Sequence, residues 1–167
     1  MTADQFDLKL NWDDVARIKD MWGGKLIIKG IFDPDDAQLC VQSGLADALV
    51  VSNHGGRQLD GADSSISMLG QIVEGVRGSS GLDNREVEIW MDGGIRSGQD
   101  VLRAVALGAS GTMLGRSYVY GLGAGGQEGV ERSLKIIHTE LDKTMALCGY
   151  RDINKVNRDI LTKNCPF

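Results

Sequence analysis

Leu49-Val50-Val51-Ser52-Asn53-His54-Gly55-Gly56-Arg57-Gln58-Leu59-Asp60 joins two kinds of sequence at one point. Its first three residues are apolar and mostly β-branched, the composition of a strand buried on both faces of a parallel sheet. Ser-Asn ends the run, and the next four residues are a histidine, two glycines and an arginine. A buried strand that opens into a polar, glycine-loosened loop predicts a parallel α/β fold, with its chemistry at the carboxyl ends of the strands. A histidine can take or give a proton near neutral pH. Arg57 offers a planar fork that pairs bidentately with a carboxylate. The two together suit a substrate with a removable proton and an acid group. A lone loop histidine is more often a surface residue than a catalyst, so the surrounding sequence has to carry the case.

Upstream, Asn11 is a good helix N-cap, and Asp13 and Asp14 suit a first turn. Trp12, Val15, Ile18, Lys19 and Trp22 follow at helical spacing up to Gly23-Gly24, which predicts an apolar stripe. Lys25-Leu26-Ile27-Ile28-Lys29-Gly30 reads as the first strand. A lysine at a strand end is most simply a solvated residue, yet Lys29 would share the barrel end occupied by His54. Asp33-Pro34-Asp35-Asp36 opens the next helix with a cap, a proline at its first position and acidic residues in its first turn, running to about Ser43-Gly44.

Downstream, Ile66, Leu69, Ile72, Val73 and Val76 give the apolar face of a helix over about 65–76. Residues 77–87 read as a polar surface loop. Glu88-Ile89-Trp90-Met91-Asp92-Gly93-Gly94-Ile95-Arg96-Ser97-Gly98 is strand, turn and helix start. Its glycines allow close backbone approach to a ligand, and Ser97 or a neighbour can cap the helix. Asp-Gly-Gly alone is a weak signal. The next unit strengthens it, because Gly111-Thr112-Met113-Leu114 ends in Gly115-Arg116 before another helix. Two successive glycine junctions with basic residues match the phosphate site that (β/α)₈ barrels build after their last two strands. Tyr118 to Leu122 continues a short helix, interrupted by Gly123-Ala124-Gly125-Gly126. An amphipathic helix then runs over about 128–147, with Val130, Leu134, Ile137, Leu141 and Met145 on one face and His138 on the surface. The tail reads as short helix or coil that frays at Cys165-Pro166-Phe167, and residues 1–10 as a remnant.

The bulk numbers fit one domain spanning 1–167, long enough for a core. A net charge of −5 and a pI near 5 give no reason to expect a nucleic-acid partner. No window is apolar for long enough to span a membrane, and no basic-then-apolar leader opens the chain. Cys40, Cys148 and Cys165 fit neither a metal-ligand spacing nor a disulfide framework, which predicts no metal and a reducing cytoplasm. The 23 glycines are about twice the usual share of roughly 7%.

The string Ser52-Asn53-His54-Gly55-Gly56-Arg57-Gln58-Leu59-Asp60 resembles the signature of the FMN-dependent α-hydroxy acid dehydrogenases and oxidases, the family of L-lactate dehydrogenase, glycolate oxidase and mandelate dehydrogenase. The resemblance implies FMN as cofactor and oxidation of a small L-2-hydroxy acid, lactate-like, to the 2-oxo acid. It implies His54 as the base, Arg57 as the holder of the substrate carboxylate, and Lys29 beside the flavin, stabilising its reduced form. It makes Asp92, Gly93, Gly94 and Arg96, with Gly115 and Arg116, the contacts to FMN ribityl and phosphate. Ser52 is expected to help position the cofactor site. Gly44-Leu45-Ala46-Asp47 carries one residue more than the family's usual Gly-Ala-Asp, at a turn where an insertion is cheap.

Four βα units are legible, led by Leu26, Leu49, Ile89 and Thr112. A closed barrel has eight in about 250 residues, so the expected architecture is a half-barrel, the carboxyl-terminal half of the family enzyme. Its open strand edges predict cover, by homo-oligomerisation or by pairing with a missing amino-terminal half. Family membership also implies tetramers and, for some members, peripheral membrane association. The electron acceptor is not legible. The competing expectation is a non-catalytic half-barrel that binds FMN or another phosphate ligand.

Overall fold

A computed structural model describes residues 7, 9–78 and 87–162, which leaves residues 79–86 of the expected 77–87 loop, most of the expected 1–10 remnant and the carboxyl-terminal fraying outside the described residues. Helix α1 (Trp12–Trp22) starts at Asn11, whose side chain accepts from the Asp13 and Asp14 amides, and stops at Gly23 with φ 66°. Strand β1 (Ile27–Ile31) begins two residues later than the expected Lys25 and runs one past Gly30. Helix α2 (Pro34–Gln42) is capped by Asp33. Strand β2 (Ala48–Val51) is buried throughout. Then come α3 (Ser65–Arg77), β3 (Glu88–Met91), α4 (Gly98–Ala106), a two-residue β4 (Gly111–Thr112) and α5 (Arg116–Leu147). The tail holds two 3₁₀ turns, Ile153–Lys155 and Arg158–Ile160.

The four strands form one parallel sheet in the order β1-β2-β3-β4. Each strand is followed by a helix, so the architecture is the expected run of four βα units. Side chains alternate across the sheet. Ile31, Leu49, Val51, Ile89 and Met91 face the helices and join the main core with Ala37, Cys40, Leu69, Ile72 and Val73. Each such aliphatic side chain contributes about 1.5–3 kcal/mol by leaving water. A second cluster, Leu102, Ala106, Met145 and Val156, ties α4 to α5 and the tail.

One sequence expectation needs correction. The stripe on α1 has no buried member: Ile18 and Trp22 are 46% and 67% exposed. Partly buried Trp12 packs against the main core at the start of the helix, and polar contacts hold its far end, with Lys19 Nζ donating to Asp47 Oδ2 (2.5 Å) and to the Gly24 carbonyl. Asp47 Oδ2 also accepts from the Leu26 amide, which joins the start of β1 to the entry of β2. The expected glycine interruption is present in α5: its two helical arms are separated by non-helical backbone at Gly125 and Gly126, where φ reaches 58°. The break lets the arms fold back until the Gly121 and Gly129 backbones touch, leaving no room for a Cβ on either.

Candidate active site

Parallel strands bring their carboxyl ends to one rim, so residues far apart in sequence meet there. A cleft of about 410 Å³ opens at that rim, lined by Lys29 from β1, His54, Gly55 and Arg57 after β2, Asp92–Arg96 after β3, and Gly115 and Arg116 after β4. Every site residue expected from the sequence lines it except Ser52, which lies just beneath. The size is within the range of ligand pockets, about 300–1,000 Å³.

Ser52, 1% exposed, is the hub of the floor. Its Oγ accepts from Lys29 Nζ at 2.8 Å and from the His54 amide at 3.1 Å. Lys29 Nζ also pairs with Asp92 Oδ2 at 2.9 Å, so the ends of β1, β2 and β3 are joined through one ammonium. The other carboxylate oxygen, Asp92 Oδ1, is buried and has no hydrogen-bond partner among the described residues. A buried acceptor left unmade costs about 1–3 kcal/mol, which a ligand hydroxyl would recover.

The histidine loop is a 3₁₀ turn over His54–Gly56. His54 has φ 56°, the one non-glycine among the described residues in the left-handed region. Asn53 holds the turn: its Oδ1 accepts from the Gly55 amide (2.9 Å) and its Nδ2 donates to the Asp63 carbonyl (3.0 Å). The imidazole lies against the backbone of Gly30, where a Cβ would come within 2.7 Å of Cε1. Arg57 is exposed, and its Nε donates to the His54 carbonyl at 3.1 Å. Arg116 reaches across from β4, with Nη2 donating to the Gly55 carbonyl at 2.9 Å.

The two glycine junctions differ. At α4 the helix start is already satisfied: Ser97 and Asp100 form a capping box, and Asp100 Oδ2 accepts from the Arg96 and Ser97 amides. Gly98 N donates to Glu140. Its contribution to an anion site is therefore the Gly93–Gly94 turn and the Arg96 side chain, rather than the helix terminus that the sequence suggested. At α5 the N-cap Gly115 supplies no side-chain bond, so the first-turn amides remain available to an anion. Four basic residues and one acidic residue line the cleft, on a chain whose net charge is −5. The rim is locally cationic and favours an anion.

Three kinds of participant escaped sequence reasoning. Met113, Tyr118 and Val119 add apolar wall; their place directly around Gly115-Arg116 was the available signal. Asn53 was within the motif, but its bonds to Asp63 and Ser65 lie beyond the reach of the motif. Ser65 and Gly30 act through contacts that no spacing reveals.

These residues fit FMN. The cations and uncapped amides suit a phosphate, the unpaired Asp92 Oδ1 suits a polyol hydroxyl, and Gly94 and Gly115 have open space over their backbones. Comparison with known proteins bears on the same point. A family model described as FMN-dependent dehydrogenase matches residues 1–163. An L-lactate dehydrogenase of Actinobacillus pleuropneumoniae serotype 5b (strain L20) is 47% identical over 159 residues, covering 95% of this chain and 40% of the relative. One from Caulobacter vibrioides (strain NA1000 / CB15N) is 44% identical over 164 residues, 98% of this chain and 41% of the relative. Among solved structures, a soluble mutant of the membrane-associated (S)-mandelate dehydrogenase from Pseudomonas putida superposes with a TM-score of 0.86 at 36% identity, over 98% of this chain and 44% of that one. The chain thus spans about 40% of the length of the lactate dehydrogenases it matches.

Proposed function

Because the chain belongs to the FMN-dependent dehydrogenase family, and supplies four βα units of its (β/α)₈ barrel, we propose that it serves the oxidation of a small L-2-hydroxy acid, of the L-lactate type, to the 2-oxo acid. The observation that carries this reading is the meeting of a histidine, an exposed guanidinium fork and an anion cradle in one cleft. Arg57 pairs with the substrate carboxylate and fixes the orientation of the molecule. His54, held by Asn53 and Ser52 in its left-handed turn, accepts the proton of the substrate hydroxyl at an imidazole nitrogen. FMN, when bound, supplies the two-electron acceptor for the α-hydrogen and its electron pair. Lys29, fixed by Ser52 and Asp92, places positive charge where the reduced cofactor gains negative charge. Asp92, Gly93, Gly94, Arg96, Gly115 and Arg116 hold the ribityl and phosphate groups.

On this reading residues 1–167 form one unit, the carboxyl-terminal half of a barrel whose open β1 and β4 edges are covered by a second copy or by further chain. Among the described residues no helix is long and apolar enough to cross a membrane, and Cys40 and Cys148 are free thiols. Both support a cytoplasmic setting for the proposed enzyme, which leaves room for peripheral contact with a membrane surface. The electron acceptor is left open. The test is titration of FMN into the chain, read by quenching of flavin fluorescence. The reading expects saturable binding, weakened about tenfold or more by Arg116→Ala, since a lost charged hydrogen bond is worth about 1.5–3 kcal/mol. Equal affinity in both proteins would remove Arg116 from the cradle.

A further inference from the structure

Among the described residues two polar side chains are buried, Ser52 and Ser65. Ser52 belongs to the histidine motif. Ser65 lies outside it, as the first residue of α3, and the helix does not need it as a cap. Ser64 does that work, with its Oγ accepting from the Ser67 amide at 3.3 Å. Ser65, 2% exposed, turns to the sheet instead, where its Oγ accepts from the Asn53 amide at 3.2 Å. The Gly93 backbone stands close to the same oxygen. A Cβ on Gly93, at φ 87°, would lie 3.0 Å from Ser65 Oγ and 3.3 Å from Asn53 Oδ1. One buried hydroxyl therefore bonds the loop after β2 and fills the space that a side chain on the turn after β3 would need. Asn53 passes the constraint on to the Gly55 amide, and between them His54 is kept in a conformation that a non-glycine residue holds only when its surroundings impose it.

We propose that Ser65 is a positioning residue: its hydroxyl sets the spacing between the histidine loop and the Asp92–Gly93 turn, and so the placement of His54 against the cofactor cradle. What the two loops hold rests on the reading given above, but their spacing does not. A buried hydroxyl suits this task because it can accept the Asn53 amide while being small enough to admit the Gly93 backbone beside it. An alanine at 65 would leave that amide without its partner and a gap between the loops.

The test compares the full chain with Ser65→Ala, Ser65→Thr and Ser64→Ala, reading amide hydrogen exchange at Asn53 and Gly55 by NMR, FMN affinity by fluorescence quenching, and thermal melting. Ser65→Ala is expected to speed exchange at both amides about tenfold and to weaken FMN binding about tenfold, the scale of one lost hydrogen bond. Ser65→Thr, which keeps the hydroxyl, restores slow exchange. Ser64→Ala lowers the melting temperature without moving either readout, and so separates positioning from helix stability. The proposal is overturned if the Asn53 amide of the unmutated chain exchanges as fast as an exposed loop amide, a result that needs no variant to fold. It is equally overturned if Ser65→Ala and Ser64→Ala behave alike at the two amides. Failure of the unmutated chain to bind FMN would sink the cofactor reading, while the exchange data would still decide the role of Ser65.

Discussion

Gly30→Ala is a one-carbon change outside the histidine loop that reaches the proposed base directly. Gly30 sits in β1 at φ 100°, where the pairing with β2 shifts register. A Cβ there would lie 2.7 Å from His54 Cε1 and 3.4 Å from Nε2. Non-bonded carbons settle about 3.5–4.0 Å apart, so the ring must withdraw by about 0.8 Å or more. The backbone adds a separate cost of about 1–2 kcal/mol for an L-residue in left-handed space. A reacting group displaced by about 1 Å can lose about 10²-fold in rate. Gly30→Ala should therefore stay folded, retain FMN and lose L-lactate turnover by about tenfold to a hundredfold. The steric part can be isolated in a double-mutant cycle with His54→Ala, read by chemical denaturation. With the ring gone only the backbone cost remains, so the destabilisation by Gly30→Ala should shrink by about 1 kcal/mol. An identical loss in both backgrounds would refute the claim that the imidazole rests on Gly30.

Three further outcomes follow from other parts of the molecule. The Lys19 hydrogen bond, then the Leu26 amide, hold the Asp47 carboxyl below its ordinary value of 3.8; a lowered folded-state pKa stabilises above the unfolded value and is lost as pH falls through it, so Asp47→Asn should lower the urea midpoint at pH 7, with the gap closing below about pH 3.8. Burial, and then the Asp36 carboxylate, push the Cys40 thiol up to about 11. A thiol reagent at pH 8 should therefore label exposed Cys148 rapidly and Cys40 only on unfolding, and stability should fall as pH rises from 9 towards 11 because the unfolded thiol ionises first. Gly98→Ala would drive a Cβ into the Leu141 backbone, so α4 and α5 must part, at a cost of about 3 kcal/mol or more in a denaturant titration.

What could be read in advance follows from the range of the forces involved. The β2 strand, the Asn11, Asp33 and Ser97 caps and the glycine stop at Gly23 are set by neighbours in sequence, and each stands where its residues place it. The candidate site was legible for a related reason. In a parallel sheet each strand delivers its last residues to one rim, so finding the strand ends finds the cleft. Burial that depends on a neighbour far along the chain was not legible. The apolar spacing of α1 is as good as that of α3, yet α3 packs on the sheet between α2 and the tail while α1 borders an edge strand. The start of α4 has the sequence of an anion site, yet Asp100 and Glu140 occupy its amides, and Glu140 lies 42 residues away. Gly30, Ser65 and the Gly121–Gly129 contact owe their importance to a partner tens of residues away or across a glycine break, and sequence spacing carries no trace of it.

The most direct test of the account is an anaerobic visible spectrum of the chain, loaded with FMN and freed of excess, before and after L-lactate. The account predicts retained yellow flavin that bleaches with L-lactate in the unmutated chain and stays oxidised in His54→Gln. Flavin that is retained but never bleaches would contradict the catalytic reading and leave a binding module. Bleaching that survives His54→Gln would contradict the assignment of the base.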